Sequence, residues 1–160
     1  MTAKGKSDSN LIATNRRARF DFLIQEKYEA GLVLKGSEVK SIRSRRVSLE
    51  QSFGRVLNGE LHIVGMNIAP YEQAGPLSHE PLRPRKLLLH KSELARIIPR
   101  ISQSGFTLIP LRLYFRRGCA KVEVAVATGR KKYDKREKIR RREAERDMRR
   151  SLDLHRRGKI

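Results

Sequence analysis

The chain is short of cysteine, of long apolar runs and of aromatic rings. Its single cysteine, Cys119, makes neither an internal disulfide nor a thiolate metal cluster. A chain without disulfides fits the cytosol. No apolar run approaches the ~18 residues that a membrane span needs. Residues Met1 to Asn10 are polar and partly charged, and no long apolar core follows them, which is not the pattern of a secretory signal peptide. The histidines, His62, His79, His90 and His155, show no HxH or HxxxH spacing, so no metal site is expected. The phosphate-loop pattern Gly-x-x-x-x-Gly-Lys-[Ser/Thr] is absent, and Cys119 has no obvious base beside it. Nothing here argues for catalysis, and no cofactor is implied.

Basic charge is what the chain has in excess. It carries 37 Lys+Arg against 17 Asp+Glu in 160 residues, a formal net charge of +20. That length suits one domain. Such a charge repels itself in a compact state and needs a polyanion to offset it. Nucleic acid is the first expectation for that partner and an anionic membrane surface the second. Residues 129–160 hold 15 of the basic and 6 of the acidic side chains, so the last fifth carries nearly half the excess. Core-forming residues are confined to the part before it.

Residues 1–14 read as a flexible polar arm, and residues 15–128 as a compact domain. From Arg19 the pattern alternates, with Phe20, Phe22, Ile24 and Tyr28 on one face, which predicts a strand. Gly31 interrupts it, so a bend or bulge is expected there. Residues 36–43 predict a short helix capped by Ser37, with Glu38 at its positive end and Val39 and Ile42 turned to the core. Residues 52–64 predict a β-hairpin about Asn58-Gly59, a pair suited to a type I′ turn. Pro70, Gly75, Pro76, Pro81 and Pro84 mark a loop. A short strand is expected near Lys86–Leu89. Leu94, Ile97, Ile98 and Ile101 define one apolar helix face, with Ser92 as cap and a kink or early end at Pro99. Two alternating runs, around Leu111 and Val124, are joined by a turn at Arg116–Cys119. The sum is a mainly β chain with short helices, best met by a small antiparallel OB-like barrel with flanking helices.

Residues 129–160 favour helix by composition but offer only a sparse apolar seam. They are expected to be disordered when free and to become helical against a polyanion. Basic clusters occur at Asn15-Arg16-Arg17-Ala18-Arg19, at Arg43, Arg45 and Arg46, at Arg83, Arg85 and Lys86, and at Arg112, Arg116, Arg117 and Lys121. Each reads either as a solvated surface or as a phosphate contact. Phe20, Phe22, Phe53 and Phe115 sit at core-like spacings, which leaves Tyr71, Tyr114 and Tyr133 as candidate stackers. With few free rings, a folded RNA recognised by shape and phosphate is favoured over base-by-base reading.

Several segments together resemble one family. They are Asn15-Arg16-Arg17-Ala18-Arg19-Phe20, residues 28–43 with Glu29-Ala30-Gly31-Leu32 and Gly36-Ser37-Glu38-Val39-Lys40-Ser41, Arg85-Lys86-Leu87-Leu88-Leu89, Leu113-Tyr114-Phe115, and residues 129–136 with Asp134-Lys135-Arg136. Their order and intervals resemble the bacterial small protein B family, the protein partner of transfer-messenger RNA, from about Asn10 to Arg150. The resemblance implies an OB-like barrel that binds the tRNA-like part of that RNA and delivers it, with elongation factor Tu acting through the charged RNA, to stalled ribosomes. It implies that Asn15, Glu29, Leu88 and Lys121 serve RNA binding, and the flanking Arg16, Arg17 and Lys86 join them as basic candidates. It also implies that Gly129, Arg130, Lys131, Lys132, Tyr133, Asp134, Lys135 and Arg136 lead a tail into the decoding site and the empty message channel of the small subunit. Two positions depart from the family: Tyr133 stands where some members have His, and His90 where Asn is common. A ribosomal RNA-binding protein with a basic extension is the alternative reading. An interfacial membrane protein is disfavoured, because no bulky apolar stripe faces the lipid.

Overall fold

The computed structural model describes residues 10–130 and 132–158, the side chains of residues 132–134 excluded. The chain forms two compact units, one ending at Gly129 and the other beginning at Arg130. The first holds the strands β1 (Leu11–Thr14), β2 (Phe22–Leu32), β3 (Val47–Ser48), β4 (Phe53–Leu57), β5 (Glu60–Val64), β6 (Asn67–Ile68), β7 (Arg85–Leu88), β8 (Phe106–Arg116) and β9 (Cys119–Gly129). Its helices are α1 (Ala18–Asp21), α2 (Gly36–Arg43) and α3 (Lys91–Ile101). The second unit is the helix α4 (Lys132–Arg156).

Strands run side by side in the order β8-β4-β5-β7-β2-β9, and β9 pairs back onto β8. Every pairing is antiparallel, so six strands close into the expected small barrel. Closure rests on Gly54 of β4 opposite Leu108 of β8. A Cβ at Gly54 would stand 2.5 Å from Leu108 Cδ2 and 2.7 Å from its Cβ, so a side chain there would force the strands apart. Inside the barrel lie Ile42, Leu61, Ile63, Leu108, Leu113, Val122, Val124 and Val126, all buried. Each contributes about 1.5–3 kcal/mol by leaving water.

Bulges shift which residues face out. One lies between Ile24 and Glu26 of β2, another between Pro110 and Arg112 of β8. At that end of the barrel the outer side is apolar: Ile109, Leu111, Ala125 and Ala127 pack under Ala18 of α1, with Phe22 and Ile24 alongside. Beyond the bulges it is polar and uncovered, with Lys27 and Glu29 on β2, Arg112, Tyr114 and Arg116 on β8, and Lys121 and Glu123 on β9.

Several sequence expectations need correction. Within the arm 1–14, residues 11–14 form β1, an edge strand paired with β8 at Leu11↔Tyr114 and Thr14↔Arg112; residues 1–9 lie outside the described residues. The first strand does not start at Arg19, because Ala18–Asp21 makes a helical turn that lets Ala18 cover the outer apolar patch. The bulge sits at Gln25, and Gly31 is an ordinary strand position. Ser37 does not cap α2; its hydroxyl meets the buried His79 ring at 2.9 Å, and Lys35 takes the cap position. His90, not Ser92, precedes α3, and Pro99 neither stops nor shortens that helix. It lies in the last turn on the exposed side, and the carbonyl it leaves free belongs to exposed Ala95, while buried Ile97 holds the inner face. Phe53 is 44% exposed instead of packed in the core. Residues 129–160, expected to be disordered when free and helical against a polyanion, hold a continuous helix over Lys132–Arg156, with pairs such as Arg141 with Glu137 at 3.0 Å.

One buried ion cluster ties α2 to the strand that follows the proline loop. Glu38 and Arg85 are both fully buried, and Arg85 Nε donates to Glu38 Oε1 at 3.0 Å. Arg83 adds two bonds to the same carboxylate, at 3.0 and 2.8 Å, and the Lys35 N–H a third at 2.8 Å. Arg85 also donates to the carbonyls of Met66 and Pro81. Burial alone would raise the Glu38 pKa, but the bonds from Arg83, the Lys35 N–H and Arg85 outweigh it and hold the carboxyl below its ordinary value. A depressed folded pKa adds stability that is fully present above the ordinary carboxylate range and is lost as pH falls through the folded value. Glu38→Gln is expected to destabilise the first unit by about 3–5 kcal/mol, since it leaves the Arg85 charge buried without its counterion. It is also expected to flatten the acid limb of stability. Urea unfolding of both proteins across pH 3–7 checks this; equal stabilities at neutral pH would count against it.

Candidate nucleic-acid interface

The open outer face is organised around Gly31. On one side β2 pairs Gly31 with Leu88 of β7, and on the other with Lys121 of β9. A Cβ at Gly31 would come within 3.2 Å of Leu88 Cβ, so the glycine lets the leucine lie close over the sheet. Leu88 remains 52% exposed, an unusual position for a strand leucine. It lines an open, largely apolar cavity of about 320 Å3 with Leu34, Val39, Phe115 and the stem of Lys121. Across β9 and β8, Lys121 stands opposite Tyr114.

Glu29, two residues before Gly31, is held on this face. The Tyr114 hydroxyl donates to Glu29 Oε2, and Arg116 Nη1 lies 3.2 and 3.3 Å from its two oxygens. The Tyr114 bond is the main influence holding the Glu29 pKa below its ordinary value; burial opposes it, and the charges of Arg116 and Lys121 assist. Burial and the Glu29 bond push the Tyr114 phenol up, so it stays a donor throughout the physiological range. Beside this trio, Glu123 takes Lys27 at 3.7 Å and Arg112 at 2.5 Å. Among the described residues Lys121 has no carboxylate within ion-pair distance. The face thus presents one uncommitted ammonium, one apolar contact and a carboxylate already engaged by a phenol and a guanidinium. Such a surface offers a phosphate a cation and a base or sugar an apolar seat.

The other candidates fall elsewhere. Asn15 is buried, and its amide donates to the carbonyls of Leu49 at 3.3 Å and Pro110 at 3.1 Å. Its side chain ties the end of β1 to the barrel; the exposed Arg16 and Arg17 follow in the turn it anchors. These arginines stand at the α1 end of β8, away from Gly31. Lys86 shares the outward side of β7 with Leu88 but is paired with Glu60 at 2.8 Å. Gly129 closes β9 opposite Phe22, and Lys132, Tyr133, Asp134, Lys135 and Arg136 fall in the first turns of α4. Lys131 lies outside the described residues. Among the described residues no helix is long and apolar enough to cross a membrane.

The joint hold of Tyr114 and Arg116 on Glu29 was not visible in the sequence, although each residue was noted singly. Only the register across β2, β9 and β8 brings positions 29, 114, 116 and 121 together. Arg43 was likewise one basic residue among several; it lies over the Phe115 ring, 5.2 Å from its centre.

Residues 12–154 match the family model described as SmpB protein. The chain belongs to this family. It is 51% identical over 147 residues to the SsrA-binding protein of Geobacillus thermodenitrificans, covering 92% of this chain and 95% of that one. The SsrA-binding protein of Roseiflexus castenholzii is 52% identical over 151 residues, 94% of this chain and 96% of the relative. A solved structure described as "tmRNA-SmpB: a journey to the center of the bacterial ribosome" is similar at a TM-score of 0.66 and 46% identity, over 82% of this chain and 96% of that one. The likeness therefore spans the barrel and most of α4, not one motif.

Tyr114→Phe removes the largest influence on Glu29 while keeping the ring. The Glu29 carboxyl is expected to titrate at a higher pH in the variant, with the melting temperature little changed. Carboxyl-detected NMR titration measures it; an unmoved Glu29 would mean that Arg116 alone holds the carboxylate.

Proposed function

We propose that this chain binds the tRNA-like part of transfer-messenger RNA, also called SsrA RNA, and delivers it to ribosomes stalled on messages without a stop codon. Translation then switches to the RNA's own reading frame and the incomplete protein receives a degradation tag. The observation that carries the reading is the meeting of Glu29, Leu88 and Lys121 around Gly31, on a polar stretch of the barrel wall. Lys121 offers a phosphate its free charge. Leu88 offers a base or sugar an apolar contact. Glu29 holds Tyr114 and Arg116 ready, and Asn15 fixes the turn that presents Arg16 and Arg17. Lys86 exchanges Glu60 for a phosphate. The charged RNA brings elongation factor Tu, and the cytoplasm is where these partners meet.

The second unit has a separate task. Residues 129–136 pass the decoding site, and α4 follows the empty message channel. A helix of 25 residues spans about 37 Å, and α4 carries 11 Lys and Arg against 6 Asp and Glu. It suits an RNA-lined passage better than a protein core.

Two experiments test these roles. Lys121→Ala is expected to weaken transfer-messenger RNA binding and reduce its salt dependence by about one counterion, and Lys121→Glu to weaken it further. Unchanged gel-shift affinities for both would remove Lys121 from the interface, and equal preference for ribosomal RNA fragments would favour the ribosomal alternative. Truncation after Gly129 is expected to leave the barrel folded and RNA affinity within about twofold, while abolishing tagging in a reconstituted translation system. Loss of both activities together, or of neither, would refute the division of labour.

A further inference from the structure

A second open cavity, of about 380 Å3, runs along β1 and is lined by the residues of that strand together with Arg16, Arg45, Ser48 and Glu50, among others. Its lining is more polar than apolar, and among the described residues β1 is the edge strand of its sheet, paired with β8. Arg45 enters it from the end of α2 in an unfavourable conformation. Its φ of 60° lies in the left-handed region, where the Cβ crowds the backbone and glycine is the default residue. The local bonding is that of a Schellman helix end, with the Arg45 N–H donating to Ile42 O at 2.9 Å and the Arg46 N–H to Ser41 O at 3.0 Å. The side chain does not spend its charge on a carboxylate. Nη1 donates to Leu11 O at 2.7 Å, which fixes the guanidinium over β1, and no acid lies within ion-pair distance among the described residues. Arg16 reaches the same cavity from the opposite end of β1, exposed and in no ion pair among the described residues. Glu50 is the one acid in the lining, so the two arginines outnumber it.

We infer that Arg16 and Arg45 form a phosphate subsite along β1 that grips a second stretch of the same RNA backbone held at Lys121. The subsite rests on the function proposed above and extends it. Continuity of the sheet supports a single RNA spanning both places. Leu11, which anchors Arg45, pairs with Tyr114, and Tyr114 pairs with Lys121. Two strand spacings, roughly 10 Å, therefore separate the anchor of Arg45 from Lys121. An arginine kept at a glycine position, held over an open cavity by one neutral carbonyl, retains donors for a phosphate.

Because the position favours glycine, Arg45→Gly separates binding from folding. The variant is expected to melt at the original temperature or higher, to bind the tRNA-like part of transfer-messenger RNA roughly fivefold more weakly, and to lose about one counterion from the salt slope. Arg45→Lys, which keeps the charge, is expected to keep the slope. Lys121→Ala serves as the reference. Wild-type affinity and slope in Arg45→Gly, with Lys121→Ala still weakened, would overturn the subsite and leave the proposed function standing; unaffected binding in both would overturn the RNA face itself. A loss confined to binding of isolated small ribosomal subunits would assign the phosphate to ribosomal RNA and overturn the single-RNA arrangement. A lowered melting temperature in both Arg45 variants would make the residue structural and overturn it too.

Discussion

The buried pairing of Glu38 with Arg85 is the constraint on which the binding face depends. α2 and β7 are far apart in sequence, yet each supplies part of the surface around Gly31: Val39 and Arg43 from the helix, Leu88 from the strand. Two charges taken fully out of water cost several kcal/mol unless their remaining hydrogen bonds are met. Here they are met. The carboxylate takes Arg83, Arg85 and the Lys35 N–H, and the guanidinium takes the carbonyls of Met66 and Pro81. A hydrophobic substitute could fill the same space without fixing the direction in which β7 leaves the proline loop. The directed bonds of the cluster fix it, with Arg83 bidentate on the carboxylate and Arg85 bonded through Nε, and so fix the residue, Leu88, that meets Gly31.

Where local chemistry decides structure, the sequence is readable. Asn58-Gly59 forms the expected hairpin turn, with φ of 52° and 76°. The i, i+3, i+4 apolar residues of α3 lay Ile97 into the core as their spacing requires. The parity of Val122, Val124 and Val126 identifies the inner side of β9. The bulges were not readable, because an extra residue in one strand is defined by its partner's register and leaves no mark in the strand itself. α1 and β1 escaped for a related reason: four residues carry too little periodicity, and both are stabilised by β8, nearly a hundred positions away. Pro99 misled because its penalty falls when the freed carbonyl faces water. α4 has the helical composition its sequence shows, and pairing of neighbouring charges supports it beside a sparse apolar seam. For the site, the resemblance supplied Glu29, Leu88 and Lys121, but their convergence appears only once β2 is seen paired with β7 on one edge and β9 on the other.

Net charge describes the binding surface poorly. Many cations of the barrel are already engaged: Lys27 and Arg112 with Glu123, Arg116 with Glu29, Lys86 with Glu60, Arg100 with Glu26. A paired arginine that turns to a phosphate must share or leave its carboxylate, so it contributes less to affinity than a free one and releases fewer counterions. What the pairing provides is orientation. Exposed arginines sample many rotamers, and a carboxylate that holds one in place reduces the entropy lost when the RNA arrives. The acidic residues on a face built for a polyanion are then not a contradiction. They orient Tyr114 and Arg116 on the outer face, while Lys121, Arg16 and Arg17 stand in no ion pair among the described residues. In the proposed function affinity and register then fall to different residues, so that an RNA of the wrong shape would gain the first without the second.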